Sequence, residues 1–197
     1  MSEQSPAAKQ KLIEAAAALV YRQGWNATGI NQILAVSKVP KGSFYYYFQT
    51  KDHLGAAIVR YQGQKLRESY DRTLRNPAYT GRVGFEKFFE EQIANQKEGE
   101  WRFGCPLGSF SNEIAASIES IAVACREVFD DCTDAYANAI VRGQKDNSIA
   151  KVVDAQALAV ALSAAWQGAL LRMKTFHTNV PLHQTLTWIE GGLYRQL

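Results

Sequence analysis

The fold is decided by residues 28–54, which read TGINQILAVSKVPKGSFYYYFQTKDHL. Thr28 suits the N-cap of a short helix, because the apolar residues that follow it recur at helical spacing. A tight turn comes next, and Pro40 has the fixed backbone angle that favours the first turn of another helix. Residues 9–23 form an earlier amphipathic stretch. Three short helices with a tight turn between the last two are the parts of a helix-turn-helix.

Three consecutive tyrosines in the third of these helices need an explanation. Phe44 and Phe48 lie on one face and are predicted to hold this helix on the core. The tyrosines between them then face outward, where phenol hydroxyls can donate to DNA phosphates and the rings can pack on sugars or thymine methyls. Gly42 permits close approach to a duplex. Lys51 and the start of the second helix at Thr28 are placed to grip flanking phosphates. An isolated aromatic run would indicate core instead, but the turn, the glycine and the lysines favour a DNA-reading surface.

The basic side chains are concentrated at the amino end of the chain. The net charge of the whole chain is +3. Residues 1–51 hold six basic side chains and two acidic ones, whereas the remainder holds sixteen basic and seventeen acidic. This asymmetry favours contact between the first 51 residues and a polyanion.

Residues 28–54 resemble the DNA-binding signature of the TetR family of bacterial transcriptional regulators, in the succession of a glycine, an aromatic cluster, a phenylalanine, a lysine and a leucine. The resemblance implies a homodimer with two DNA-binding heads on an all-helical core, usually a repressor that a small ligand releases from its operator. A tyrosine stands at Tyr47, where many members have histidine. The family's DNA-contacting positions correspond here to Thr28, Lys41, Gly42, Ser43, Tyr45, Tyr46, Tyr47 and Lys51.

The rest of the chain also has the pattern of helices, with no repeat and no convincing strand. Two turn-rich stretches, RNPAYTG and KEGEWRFGCPLG, separate the helical segments. Helices are predicted around Phe85–Ile93, from Ile121 to near Gly143, from about Asp154 to Phe176 and from about Leu182 to Leu193. The prediction is therefore an all-α fold, with a helix-turn-helix DNA-binding domain at 1–50 and a helical regulatory and dimerisation domain at 51–197.

The last two long helices are predicted to pair with a second copy, as the equivalent helices of TetR family members do. A two-fold dimer places its reading helices about 34–36 Å apart, so the operator is expected to be a palindrome. The large apolar side chains on these helices are Trp166, Leu170, Leu186, Trp188 and Ile189.

Cys105 is the candidate sensor. It lies where a loop is predicted to lead into a helix, whose backbone N–H groups would stabilise a thiolate. Lys174 is placed to point back into the domain and pair with Cys105. The GC element and this lysine resemble a branch of the family that responds to electrophiles and oxidants through a cysteine. A neighbouring branch with a similar GCP stretch binds drug-like aromatics reversibly. The alternative is that Cys105 is inert packing and Lys174 caps a helix end.

A reversible ligand would instead occupy a cleft lined by aromatic side chains, which are core residues unless such a cleft exists. Cys125 and Cys132 are seven residues apart on the apolar stripe of one helix, and both are predicted to be buried packing residues. The predicted cleft residues are Phe85, Phe89, Trp101, Phe103, Phe110, Trp166 and Phe176.

Other classes of function have little support in the sequence. The motifs HExxH, GxSxG, GxxxxGK[ST] and GxGxxG are absent, so no enzyme, catalytic residue or cofactor is predicted. His177 and His183 lack a recognised ligand spacing, and no metal site is predicted. The sequence lacks an apolar run of about 18 residues, a leader pattern and CxxC spacing. Together these absences predict a cytoplasmic protein. A helical adaptor that does not bind DNA is the remaining alternative, but it would not explain the charge asymmetry.

Overall fold

The computed structural model describes residues 5–151 and 154–193, and in these ranges every regular element is an α-helix. This confirms the predicted all-α fold. None of the helices in the described ranges is long and apolar enough to cross a membrane. The helices are α1 (Pro6–Gln23), α2 (Ile30–Ser37), α3 (Lys41–Tyr47), α4 (Lys51–Arg72), α5 (Gly81–Glu98), α6 (Pro106–Ile114), α7 (Glu119–Lys145), α8 (Ala155–Phe176) and α9 (Val180–Leu193).

Short-range contacts set where the first helices begin. Ser5 caps α1, and its hydroxyl accepts a hydrogen bond from a backbone N–H in the first turn at 3.3 Å. The predicted N-cap of α2 is wrong by one residue. Gly29 is the N-cap, because the Gln32 side chain accepts from the Gly29 N–H at 2.9 Å. Thr28 is fully buried and donates its hydroxyl to the Gly24 carbonyl at 2.7 Å.

By internal packing the chain divides into two compact units. The first extends over Met1–Gly63 and Pro106–Val128, and the second over Gln64–Cys105 and Phe129–Leu197. The helix-turn-helix therefore shares its unit with α6 and the first part of α7. The predicted domain boundary at residue 50 is a division by function and stays a prediction.

In the first unit, α3 is anchored by its phenylalanines. Phe44 is fully buried and Phe48 is 3% exposed, with their ring centroids 5.9 Å apart. Leu12, Ile33 and Leu54 are also fully buried in this unit. The predicted anchoring of the reading helix by two phenyl rings is confirmed.

The second unit has a core built largely from aromatic rings on α5, α7 and α8. The Phe89 and Trp166 centroids are 4.6 Å apart, and Tyr136 meets Phe85 and Phe88 edge to face at 5.4 and 5.6 Å. Edge-to-face contacts stabilise a fixed ring orientation. These ring contacts favour one side-chain orientation for each of the aromatic residues involved.

Candidate nucleic-acid interface and regulatory core

The outer side of α3 is exposed as predicted. Tyr45 and Tyr46 are 48% and 62% exposed, and Lys41 and Gly42 at the start of the helix are exposed as well. A Cβ added at Gly42 would meet nothing within 4 Å, so internal packing does not require a glycine there. The start of α3 is therefore accessible from solvent.

Tyr47 has a contact inside the head. Its side chain is partly buried, and its hydroxyl donates to the Ser5 carbonyl at 2.7 Å. Partial burial raises the pKa of Tyr47, and the neighbouring Tyr46 phenol adds to this shift. The Tyr47 phenol therefore links α3 to the start of α1.

Lys51 also has an internal partner. Its Nζ donates to the Trp25 carbonyl at 2.7 Å and lies 4.1 Å from the centroid of the Trp25 ring. Burial lowers the pKa of Lys51, and the carboxylates of Glu113 and Asp52 partly oppose that shift. The cation thus fastens the start of α4 to the loop between α1 and α2.

Two other predicted contact residues are buried. Thr28 is fully buried and Ser43 is 4% exposed, so neither hydroxyl is presented to solvent. Within the structure the Thr28 hydroxyl stabilises the loop before α2. As DNA contacts, these two residues stay predictions.

Glu113 is a residue of the head that the sequence did not reveal. It lies on α6, and its carboxylate accepts from the backbone N–H groups of Trp25 and Asn26 at 3.0 and 2.7 Å. The Phe110 ring, one turn earlier on α6, packs on Trp25 at 5.6 Å between centroids. More than 80 residues separate these partners in the chain, so no local pattern indicates the contact.

Two exposed residues next to the reading helix were also missed. Lys38 is the C-cap of α2 in a left-handed conformation with φ 57°, and its side chain is exposed. Val36, near the end of α2, is 54% exposed. The position of Lys38 in the turn before a reading helix could have indicated that it is exposed there. No sequence pattern could have indicated that Val36 is exposed.

Cys105 lies at the end of a loop with unusual backbone angles. Glu100, Trp101 and Gly104 have φ values of 52°, 64° and 73°, and two of these three residues are not glycine. The thiol is partly buried and accepts from the Gln167 amide at 3.4 Å. The loop predicted before a helix is confirmed, because α6 begins at the next residue.

The structure places Lys174 beside the loop that carries Cys105. Its Cβ and Cδ atoms lie 3.7 Å from the position that a Cβ on Gly104 would occupy. The Gly104 carbonyl accepts from the Gln96 side chain at 3.3 Å, which fixes this part of the loop. Lys174 itself is exposed. The two predicted sensor residues are thus on adjacent segments, while the contact made by the Cys105 sulfur is with Gln167.

The other two cysteines differ from each other. Cys125 is 3% exposed, which confirms a buried packing residue. Cys132 is only partly buried and lies beside polar groups, with its sulfur 3.9 Å from the Ser163 hydroxyl oxygen. Burial is the largest cause of the raised pKa of the Cys132 thiol. Cys132 packs against the core as predicted, but it is only partly buried and also faces a hydroxyl of the neighbouring helix.

The predicted aromatic cleft is only partly assembled. Phe85, Phe89 and Trp166 pack together in the second unit, and Trp101 packs against the same core. Phe110 belongs to the first unit, where Trp25 is its ring partner, and Phe176 is 61% exposed. Phe103 is partly buried beside Gly99. The predicted lining is corrected for Phe110 and Phe176, because Phe110 belongs to the other unit and Phe176 is exposed.

α8 and α9 form a groove with an apolar rim. The groove has a volume of about 470 Å³. Trp188 on α9 and Leu171 on α8 are 63% and 58% exposed. The residues that line the groove are Ala165, Gly168, Ala169, Arg172, Pro181, Gln184, Thr185 and Trp188. Exposed large apolar side chains in one patch are typical of an interaction surface.

These features define a class of protein. A helix-turn-helix with an exposed, phenol-rich reading helix, in a chain that also has a separate helical unit, is characteristic of a DNA-binding transcriptional regulator. Residues 12–58 match the family described as bacterial regulatory proteins, tetR family, and residues 83–187 match the transcriptional regulator LmrA/YxaF-like C-terminal domain. The chain belongs to the TetR family, whose members bind operator DNA as dimers and respond to small-molecule ligands.

Individual relatives extend over nearly the whole chain. The sequence is 28% identical over 185 residues to the HTH-type transcriptional repressor DhaR of Mycobacterium sp. (strain GP1). The aligned region covers 94% of this chain and 91% of DhaR. The crystal structure of a regulatory protein TetR from Rhodobacter sphaeroides has a TM-score of 0.88 at 25% identity and covers 94% of this chain and 98% of that one. The reduced form of Escherichia coli NemR has a TM-score of 0.83 at 20% identity, covers 94% and 97% of the two chains, and shows a shared fold.

Proposed function

We propose that this protein is a repressor that binds a palindromic operator as a homodimer and is released by a small molecule or by modification of Cys105. The observation that carries the proposal is the exposed side of α3, where Lys41, Tyr45 and Tyr46 face solvent on a helix anchored by buried phenylalanines. The relative DhaR is itself named as a repressor.

The DNA contacts follow from exposure. Lys41, Tyr45 and Tyr46 make the direct contacts, and Gly42 lets the backbone approach. Tyr47 and Lys51 act mainly by fixing the head, because their polar atoms already have internal partners. Thr28 and Ser43 contribute through the backbone that they stabilise.

The experiment is to select genomic fragments with the purified protein and to titrate the selected sequence in a gel-shift assay. A palindromic site bound at least 1,000-fold more tightly than random DNA is expected of a specific regulator. Equal affinity for both duplexes at low salt would refute operator recognition. The genes beside the selected site will also indicate the chemistry of the inducer.

The homodimer is proposed to form through α8 and α9. Their groove and the exposed Leu171 and Trp188 provide an apolar surface for a second copy. Two-fold symmetry presents two reading helices to two half-sites, which explains why the operator is expected to be a palindrome.

Release through Cys105 is proposed as the first route of induction. The thiol is partly accessible, Lys174 lies along the same loop, and the loop leads directly into α6. With 1,4-benzoquinone, the Cys105 sulfur forms a bond to a ring carbon as the C=C π bond at that carbon breaks. The thiol proton goes to one quinone oxygen and the hydrogen of the attacked carbon tautomerises to the other, so that the product is a thioether of hydroquinone. A bulky adduct on the sulfur would compete with the hydrogen bond that the Cys105 sulfur accepts from Gln167.

The test is release of the operator by benzoquinone from wild type, Cys105→Ser and the buried control Cys125→Ala. Release from wild type and Cys125→Ala, with the Cys105→Ser complex intact and mass spectrometry locating the adduct at Cys105, is the expected result. Equal release from all three proteins would exclude the thiol route. It would favour a reversible ligand, for which the aromatic core around Phe85, Phe89 and Trp166 is the candidate site.

A further inference from the structure

A group of polar side chains lies inside the aromatic core of the second unit. It consists of Tyr70 on α4, Cys132 and Tyr136 on α7, and Ser163 on α8. The Cys132 sulfur is 3.9 Å from the Ser163 oxygen, and the Tyr70 and Tyr136 phenols are both close enough to interact with the thiol. Such a group is unusual at this depth, because polar atoms away from water need partners.

Tyr70 lacks a partner of the kind that a buried phenol requires. Its side chain is 1% exposed, and its hydroxyl has no hydrogen-bond partner of acceptable geometry in the described residues. The neighbouring Cys132 thiol is a weak acceptor and does not replace an oxygen. An unpaired buried donor costs free energy that an incoming acceptor oxygen would recover.

The side chains of the polar cluster differ in exposure. Cys132, Ser163, Gln167 and Cys105 each keep part of their surface accessible, whereas Tyr70 and Tyr136 are almost fully buried. Burial also raises the pKa of the Cys132 thiol. Both properties fit the wall of a narrow crevice, with the two phenols at its inner end.

The ring contacts fix the direction of these phenols. Tyr136 is held edge to face by Phe85 and Phe88, and Tyr70 packs on Phe88 with centroids 5.5 Å apart. Rings held in this way present their hydroxyls at fixed positions. The site is therefore organised before any ligand arrives.

We propose that Tyr70, Tyr136 and Cys132 bind the carbonyl oxygen of an uncharged compound with an apolar body, and that this compound is the reversible inducer. The inference rests on the proposed function, because a bound compound is an inducer only if the protein is a repressor. The phenols are donors, and the surrounding side chains, including Phe88, Phe89 and Trp166, suit an apolar body.

The charge of the ligand follows from the cluster. The guanidinium of Arg75 lies 5.6 Å from the centroid of the Tyr70 ring, but it is already paired with Asp71 and Asp131, each at 3.1 Å. A carboxylate at the phenols would therefore have to compete with these two acids for a counter-ion. Burial also raises the pKa of Tyr70 and of Tyr136 far above neutrality, which keeps both phenols as donors. A neutral ketone, aldehyde or quinone oxygen needs donors alone.

Three probes of similar shape test this inference by isothermal titration calorimetry on the full chain without DNA. They are benzylacetone, a neutral ketone; butylbenzene, which lacks the oxygen; and 3-phenylpropanoate, which is charged. We expect benzylacetone to bind about tenfold or more tightly than either comparison compound, the factor for one buried hydrogen bond. Equal binding of ketone and hydrocarbon, or tighter binding of the carboxylate, would overturn the proposal.

The decisive variant is Tyr70→Phe, with Tyr79→Phe as the matched control outside the cluster. Tyr70→Phe removes a hydroxyl that has no partner, so the melting temperature of the free protein is expected to stay the same or rise. Its affinity for benzylacetone is expected to fall about tenfold, while Tyr79→Phe binds like wild type. Loss of stability with unchanged ketone affinity would show that the hydroxyl has only a structural role.

Operator binding is measured separately so that the two proposals fail separately. If wild type and both variants bind the operator but no variant changes ketone affinity, the carbonyl site is refuted and the repressor function stands. If none of the proteins binds an operator while benzylacetone still binds through Tyr70, the site stands and the compound is not an inducer. Cys132→Ala is a second variant, expected to weaken benzylacetone less than Tyr70→Phe because a thiol is the weaker donor.

Discussion

At the scale of single residues, lysines and tyrosines of the head have two different roles. The side chains of Lys41 and Tyr46 are exposed. Lys51, in contrast, donates a hydrogen bond to the Trp25 carbonyl, and Tyr47 donates one to the Ser5 carbonyl. A side chain that already has a backbone partner loses that contact when it turns toward a phosphate. We therefore propose that the exposed side chains contact DNA and that the hydrogen-bonded ones shape the surface.

The lysines give the first prediction. Lys41→Ala is expected to lower the salt dependence of operator binding by about one ion per head and to leave the melting temperature unchanged, since its side chain is exposed. Lys51→Ala is expected to destabilise the protein by about 1 kcal/mol, a modest value because the pair with Trp25 is partly exposed. Thermal unfolding and a salt titration of the gel shift measure both effects. A full one-ion loss in Lys51→Ala with wild-type stability would reverse these roles.

Tyr46 provides the second prediction at this scale. Tyr46→Phe keeps the ring and its edge-to-face contact with Tyr47 at 4.9 Å, but removes the exposed hydroxyl. Operator affinity is expected to fall about fivefold, the effect of one hydrogen bond of about 1 kcal/mol, with no change in stability. Tyr46→Ala removes the ring as well and is expected to weaken binding further. Wild-type affinity in both variants would remove Tyr46 from the reading surface.

At the scale of elements, α6 completes the helix-turn-helix. The loop between α1 and α2 is contacted from two directions, by Lys51 on its carbonyl side and by Glu113 of α6 on its N–H side. The same α6 follows Cys105 directly in the chain. The loop before α2 and α3 is thus supported by a helix that begins 56 residues after the end of the predicted head at residue 50.

The Glu113 contact can be tested without DNA. Glu113→Gln leaves one acceptor oxygen for two backbone N–H groups, so one of the amides of Trp25 and Asn26 loses its partner. The amide hydrogens of these two residues are expected to exchange several-fold faster, and the head to lose about 1 kcal/mol of stability. Glu119→Gln, an exposed acid on α7, is the control for the lost charge. Unchanged exchange at Trp25 and Asn26 in Glu113→Gln would show that the contact is unimportant.

The sequence predicted the elements well and the polar contacts between them poorly. Periodicity and capping located α8, where Asp154 accepts from a backbone N–H at 2.8 Å and the helix ends at Phe176 as expected. Phe44 and Phe48 were recognisable as anchors because their spacing of four residues places both on one face of a helix, and this pattern is local in the sequence. The Glu113 contact joins distant segments through hydrogen bonds and leaves no periodic pattern. Cys132 has the spacing of a packing residue, and its polar neighbours Tyr70, Tyr136 and Ser163 are recognised only in the folded structure.

At the scale of the whole molecule, specificity for a palindrome requires two reading helices in a fixed relation. One head offers few base-directed side chains, and phenols contribute little discrimination between bases. In the proposed homodimer the second copy would multiply both affinity and specificity, because the two half-sites would then bind as one unit. The strength of the dimer is consequently a condition for repression at cellular concentrations.

Trp188 is the residue on which the proposed dimer is expected to depend most. It is 63% exposed at the edge of the groove between α8 and α9, and large aromatic side chains dominate the energetics of interfaces. Trp188→Lys is expected to weaken dimerisation by at least about 2 kcal/mol, or about 30-fold, while the monomer stays folded because the side chain is exposed. Sedimentation velocity across a concentration series measures the dimer, circular dichroism checks the fold, and gel shifts compare full and half operators. Val141→Lys, a partly exposed valine on α7, introduces the same charge elsewhere and is expected to remain dimeric. A Trp188→Lys protein that sediments as a wild-type dimer would place the interface on another surface. A folded monomer that binds half and full operators with equal affinity would instead establish that α8 and α9 provide the symmetry on which operator recognition depends.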